Sequence, residues 1–237
     1  MDIPRVSVEQ MRRIDELATS HFGIEPVQLM EHAGRAVASR AREIAGVRGR
    51  TITVLVGKGH NGGDALVAAR FLVSWGATVY LIVAAHPDEM KPLVRDHYGT
   101  ATAMHLNRMT AVDNLQWEQA LKESDLLVDG LLGYGATGNP RGIYADLIAL
   151  ANQSRKKILA IDIPSGLDAD TGVAGTPCVV AAETLTLGLP KRGLFLADGK
   201  KHAGRVAVAD IGIPHEVFEL MGLQVPRLFE KQGIVRV

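Results

Sequence analysis

The chain has 237 residues, of which 47% are hydrophobic, 22% charged and 5% aromatic, a composition that excludes disordered and fibrous classes and leaves enough apolar material for a substantial core. Twenty-six Lys and Arg balance twenty-six Asp and Glu, so no net field draws the protein toward nucleic acid or an anionic membrane. Cys178 is the single cysteine, which excludes an intramolecular disulfide and every multi-cysteine metal site.

The opening Met-Asp-Ile-Pro-Arg-Val-Ser-Val-Glu-Gln carries no apolar signal core, and no stretch is long and apolar enough to span a bilayer. The expected location is the cytoplasm. In the first fifty residues Met11, Ile14, Leu17 and Ala18 recur at helical spacing, and Leu29, Ala33 and Val37 repeat the stripe after Gly23 and Pro26. Residues 52–56 then form a β-branched run with a glycine cluster behind it, the signature of strand, loop and helix.

The alternation continues along the chain. Helical patterns cover residues 62–74, 88–102, 113–122 and 144–152, and buried-strand patterns cover 78–84, 126–132, 157–163, 183–189 and 205–211. This order predicts an α/β fold, a Rossmann-like three-layer α/β/α sandwich with a mostly parallel central sheet. No repeat or linker divides the chain, so one domain is expected over 1–237: a helical extension (1–50), an α/β core (51–214) and a tail (215–237) with no legible element. The basic clusters Arg155-Lys156-Lys157 and Lys200-Lys201 lack interleaved aromatics and read as solvated faces.

Three strand ends carry chemistry. Gly57-Lys58-Gly59-His60-Asn61-Gly62-Gly63-Asp64 follows a strand and opens a helix, where backbone can approach a ligand and free amides can take an electron-rich group. It contains G-x-G-x-x-G, but the next strand ends in Val83-Ala84-Ala85-His86 without the acid that a dinucleotide ribose requires, which makes a dehydrogenase the second choice. A plain packing turn, with Asp64 favouring the helix start, is the alternative use of the same loop.

Asp129 lies inside an apolar strand before a second glycine loop, and Asp162 and Ser165 lie at the end of another strand. In an open parallel sheet these loops leave the same edge and can converge on one crevice. A carboxylate in an apolar strand needs a partner, whether loop amides or a cation. Asn61, Asp129 and Ser165 offer hard oxygen ligands for a cation, and Asp162 is the candidate acid/base group. No H-E-x-x-H pair occurs, Asp168-Ala169-Asp170-Thr171-Gly172 lacks the later ligands of a calcium loop, and Ser165 sits in Pro-Ser-Gly. Zinc, calcium and a hydrolase nucleophile are therefore disfavoured.

In these motifs the chain resembles the NAD(P)H-hydrate epimerases, the YjeF N-terminal domain family. The resemblance runs in order through Leu29-Met30-Glu31-His32-Ala33-Gly34, Asn61-Gly62-Gly63-Asp64 with residues 66–70, the 129–135 loop, Asp162-Ile163-Pro164-Ser165-Gly166-Leu167-Asp168, Thr184-Leu185-Thr186 with Pro190-Lys191, and Asp210-Ile211-Gly212-Ile213-Pro214. It implies a usually dimeric isomerase that interconverts the R and S forms of hydrated NADH and NADPH (NADHX and NADPHX). Potassium is implied on Asn61, Asp129 and Ser165. Substrate contacts are implied at His60, Asn61, Gly62, Gly63, Asp64, Gly133, Tyr134, Gly135, Ala136, Thr137, Gly138, Asn139 and Asp162. His60, Ala65 and Tyr134 depart from the family's usual Asn, Gly and small hydroxyl residue. The family's epimerase is often fused to a dehydratase for which 237 residues leave no room, so a separate dehydratase is the expected metabolic partner. A nucleotide-binding homologue without catalysis is the other alternative.

Overall fold

Eight strands among the described residues form one sheet in the order β3-β2-β1-β4-β5-β6-β7-β8: β1 Thr51–Val56, β2 Thr78–Val83, β3 Asn107–Met109, β4 Leu126–Gly130, β5 Ile158–Ile161, β6 Glu183–Leu187, β7 Arg205–Ala209 and β8 Ile234–Arg236. The structure is a computed structural model that describes residues 3–109 and 114–237. All pairings are parallel except the antiparallel β7–β8 pair at the edge. The eight α-helices among the described residues are α1 Val8–Phe22, α2 Pro26–Ala45, α3 His60–Ser74, α4 Pro92–Ala103, α5 Asn114–Glu123, α6 Ile143–Gln153, α7 Gly199–His202 and α8 His215–Leu220.

Strand alternation sorts the core into two layers. Ile52, Val54, Val56 and Val128 meet Val37 and Ala41 of α2 and Leu66 and Leu72 of α3 on one face. Leu55, Ile82 and Leu127 meet Trp117 of α5 and Leu147 of α6 on the other. Because both faces are covered, the central strands are buried throughout and read as continuous apolar runs. α1 packs through Met11, Ile14 and Ala18 against Leu189 beyond β6 and against Val217 and Phe218 of α8. Parallel bridging of Val6 to Lys191 ties the N-terminal segment to the same corner, with Val6 donating its N–H to Pro190 O at 2.9 Å.

The expected elements shift in instructive places. The helix anticipated over 88–102 is divided: Pro87–Glu89 is a short 3₁₀ turn, and α4 starts at Pro92, where a proline at the first turn loses no needed N–H. Residue 113 of the anticipated 113–122 helix lies outside the described residues. The 126–132 run ends as a strand at Gly130 because the Leu131 N–H turns back to Asp129 Oδ1 at 3.2 Å. The tail without a legible element supplies α8 and β8.

Strand order reverses at β1. The chain runs from β1 outward to β2 and β3, then returns to place β4 on β1's other side. The loops after β1 and β4 therefore border the crevice at which ligands bind in open α/β sheets.

Candidate functional site

The β1–α3 loop is shaped first by close backbone packing. A Cβ on Gly57 would lie 1.9 Å from Leu131 O, and one on Gly62 would lie 1.9 Å from Gly57 O, so both positions need glycine to bring the β1 and β4 loops together. Gly59 differs, with nothing within 4 Å of the equivalent position. It is also the N-cap of α3, and no side chain caps that helix end. The start of α3 thus presents uncapped amides on the open side of the loop.

Asn61 joins the two loops. Its residue is 7% exposed, and its Nδ2 donates to Leu132 O at 2.9 Å, leaving Oδ1 without a hydrogen bond among the described residues. Asp129 and Ser165, both 0% exposed, meet at the same segment. Ser165 donates through Oγ to Asp129 Oδ1 at 2.6 Å and through N–H to Oδ2 at 2.8 Å, and Leu132 N–H donates to Ser165 Oγ at 2.9 Å. Burial raises the Asp129 carboxyl, against the lowering effect of these donors.

The structure therefore brings Asn61, Asp129 and Ser165 around one stretch of backbone. One carboxylate among neutral oxygens, with only neutral hydrogen-bond donors on it, suits a monovalent cation. Among the described residues no cluster of three His, Cys, Asp or Glu stands ready for a metal ion. Ser165, enclosed and bonded to Asp129, is not placed as a nucleophile.

Asp162 follows β5 at a strained turn. Its φ is +66°, and the Ile163 N–H donates to Ile161 O at 2.7 Å, making a tight three-residue turn of the rare positive-φ kind. The carboxylate is turned toward β6 and its following loop. Oδ1 accepts from the Leu187 N–H at 3.1 Å, from Thr186 Oγ1 at 3.3 Å and from Lys191 Nζ at 2.5 Å. The Lys191 side chain is 1% exposed, and Nζ also donates to Leu187 O at 2.9 Å.

Three further side chains complete this corner. Tyr134 lies with its ring centroid 5.4 Å from Lys191 Nζ and donates its hydroxyl to Asp15 Oδ2 at 2.9 Å. Burial raises Asp15, and the Tyr134 hydrogen bond lowers it. Burial, then the Asp15 charge, pushes the Tyr134 phenol far above its ordinary range. Asp64, in α3, is buried, and burial followed by the charges of Asp162 and Asp15 holds its carboxyl well above the usual range. Asp64 does not act as a first-turn acid of α3.

The remaining expected contacts line the open side. Gly62 and Gly63 are buried, His60 is exposed, and burial and Lys91 lower its imidazole. In the 133–139 loop Gly133, Tyr134 and Ala136 are half-buried, whereas Gly135, Thr137, Gly138 and Asn139 are exposed, with Asn139 Oδ1 accepting from Thr176 N–H at 3.0 Å. Ala65, another departure from the family pattern, packs beneath Gly130, where a Cβ would lie 2.5 Å from its own. Cys178 is buried, its thiol pushed up to about 12 by burial, and it serves the core.

Lys191 and Asp15 are not legible as site residues in the sequence. The Pro190-Lys191 motif marks Lys191 without giving it a role. Asp15 carries no local signal, because a single acid on an amphipathic helix reads as a solvated position.

Comparison with known proteins fits this architecture. Over 99% of the chain and 100% of its own, the crystal structure of yeast ynu0 superposes with a TM-score of 0.85 at 23% identity. A Pirellula staleyi protein named NAD(P)H-hydrate epimerase is 36% identical over 225 residues, 92% of this chain and 97% of that protein. A Moorella thermoacetica protein named bifunctional NAD(P)H-hydrate repair enzyme Nnr is 39% identical over 217 residues. The chain spans 90% of itself in that match but only 41% of the bifunctional protein's length. Residues 26–193, which carry the ends of β1, β4, β5 and β6, match the family described as YjeF-related protein N-terminus, and the chain belongs to that family.

Proposed function

We propose that this chain is an NAD(P)H-hydrate epimerase, interconverting the R and S forms of hydrated NADH and NADPH, with Asp162 as a proton-transfer group. The observation that carries the reading is the buried Asp162–Lys191 pair, held at a strained strand end beside a loop with open glycines. The relatives' names supply the reaction class.

In this substrate the hydroxylated ring carbon is bonded to nitrogen, whose lone pair can expel water and leave an iminium. Water then returns to either face. Asp162 moves the proton at that oxygen, and Lys191 holds the Asp162 carboxylate in place. The uncapped amides of α3 and the 133–139 loop orient the nucleotide. Asn61, Asp129 and Ser165 would hold potassium, which would supply a fixed positive charge beside the site. We place the reaction in the cytoplasm, in a homodimer, with a separate dehydratase consuming one epimer.

The test is Asp162→Asn, with potassium replaced by tetramethylammonium in parallel. The variant is expected to lose about 10²–10⁴-fold in rate while still folding, and the bulky cation is expected to lower wild-type activity. Full activity in the Asn variant would overturn the assignment of Asp162.

A further inference from the structure

The N-terminal helix grips the 133–139 loop. Three of that loop's seven residues are glycine, a composition that leaves the backbone many alternatives. Among the described residues, the stretch from Gly133 to Gly138 makes one side-chain hydrogen bond, and it runs to α1: the Tyr134 hydroxyl donates to Asp15 Oδ2 at 2.9 Å. One turn earlier on the same face of α1, Arg12 Nη2 lies 3.8 Å from where a Gly135 Cβ would stand. α1 thus touches two consecutive loop residues, and it does so from outside residues 26–193.

The gripped side chain stands beside the buried pair. The Tyr134 ring centroid is 5.4 Å from Lys191 Nζ, within the range of cation–π attraction, and Lys191 is paired with Asp162 at 2.5 Å. The three donors to the Asp162 carboxylate, from Leu187 N–H, Thr186 Oγ1 and Lys191 Nζ, all converge on Oδ1. Oδ2 receives none among the described residues, which leaves it as the oxygen for proton transfer. Its aim is set from β6 and the loop behind it. The Lys191 backbone is fixed separately, with Val6 N–H donating to Pro190 O at 2.9 Å and Arg192 N–H donating to Val6 O at 3.0 Å. The loop wall beside Lys191, by contrast, is set by Asp15 through Tyr134.

We propose that Asp15 is a positioning residue for substrate binding: by accepting the Tyr134 hydroxyl it fixes the glycine-rich loop in the conformation that receives the nucleotide, beside the Asp162–Lys191 pair. A loop ordered before the ligand arrives spares the binding step the cost of ordering it. Asp15 therefore acts on affinity, and proton transfer at Asp162 stays with its own donors. What Tyr134 needs from position 15 is an acceptor oxygen, so an amide oxygen there does the same. The identity of the substrate in this assignment rests on the epimerase reading.

The test measures KM and kcat for conversion of one epimer of hydrated NADPH, and Kd by titration calorimetry, for the wild type, Asp15→Ala, Asp15→Asn, Tyr134→Phe and the Asp15→Ala, Tyr134→Phe double variant. Asp15→Ala and Tyr134→Phe are each expected to raise KM and Kd about 10-fold with kcat within about 2-fold of the wild type. Asp15→Asn is expected to restore both, and the double variant to show no greater rise than either single one, because each change removes the same hydrogen bond. Wild-type KM in Asp15→Ala, a KM in Asp15→Asn as high as in Asp15→Ala, a multiplied rise in the double variant, or a fall in kcat with KM unchanged would each overturn the assignment. A wild type that binds the compound without converting it would overturn the epimerase reading alone, and the same pattern in Kd would then decide the role of Asp15. A wild type that does not bind it would overturn both.

Discussion

The ammonium of Lys191 lies 2.5 Å from Asp162 Oδ1, and both side chains are withdrawn from water, at 1% and 5% exposure. The pair joins the ends of β5 and β6 and sets the direction of the one carboxylate at a positive-φ turn.

Lys191→Met leaves that carboxylate buried without its cation. The expected loss is about 3–5 kcal/mol of folding stability, measured by urea unfolding. Lys191→Met combined with Asp162→Asn should recover much of it, because the uncompensated charge has gone. A Lys191→Met protein as stable as the wild type would show that the pair contributes nothing.

Asp64 sets a pH dependence. Below the ordinary aspartate range the folded and unfolded chains both hold its proton. As pH rises through that range the unfolded chain loses the proton and the folded chain keeps it, so stability falls until the folded carboxyl also ionises. From about pH 4 upward the Asp64→Asn protein should therefore gain progressively on the wild type in urea midpoint. A difference independent of pH would contradict the raised carboxyl.

Two glycines of one loop should respond in opposite ways. Gly62→Ala puts a Cβ 1.9 Å from Gly57 O, and the backbone clash should cost at least about 3 kcal/mol. Gly59→Ser meets open space at an N-cap with φ −90° and ψ 179°, and should leave stability unchanged or raise it by about 0.5 kcal/mol. Thermal melting of the two variants side by side separates packing glycines from those that keep the site open.

Tyr134→Phe removes the donor to Asp15 and keeps the ring over Lys191. Stability should drop by about 1–3 kcal/mol at neutral pH, and the Asp15 carboxyl should rise further, since the tyrosine hydrogen bond is what lowers it. NMR titration of the Asp15 carboxyl in both proteins would check the direction.

How far the sequence reveals this arrangement depends on whether a signal is local. β1, β4 and β5 are legible because strands buried on both faces are largely apolar, and glycine clusters mark the ends of β1 and β4; β6 is legible from its Thr and Leu content, which suits a strand. β3 and β8 are three residues each, too short for any period to register. The meeting of Asn61, Asp129 and Ser165 follows from parallel topology, which sends every such loop to one edge. The Lys191–Asp162 and Tyr134–Asp15 contacts, 29 and 119 residues apart, depend on how α1 and the β6 loop pack, and no local pattern encodes that. Asp64 misleads for the same reason: an acid near a helix start reads as a dipole partner, and only the packing of α2 on α3 reveals that it is buried.

The most direct measurement follows a single purified epimer of hydrated NADPH mixed with the wild-type protein in potassium buffer, with the two epimers resolved by chromatography. The epimerase reading predicts that the R and S forms equilibrate well above the spontaneous rate, with total hydrated cofactor constant and no net oxidation or reduction. Tight binding with conversion only at the spontaneous rate would contradict it, and would leave a nucleotide-binding member of the family in its place.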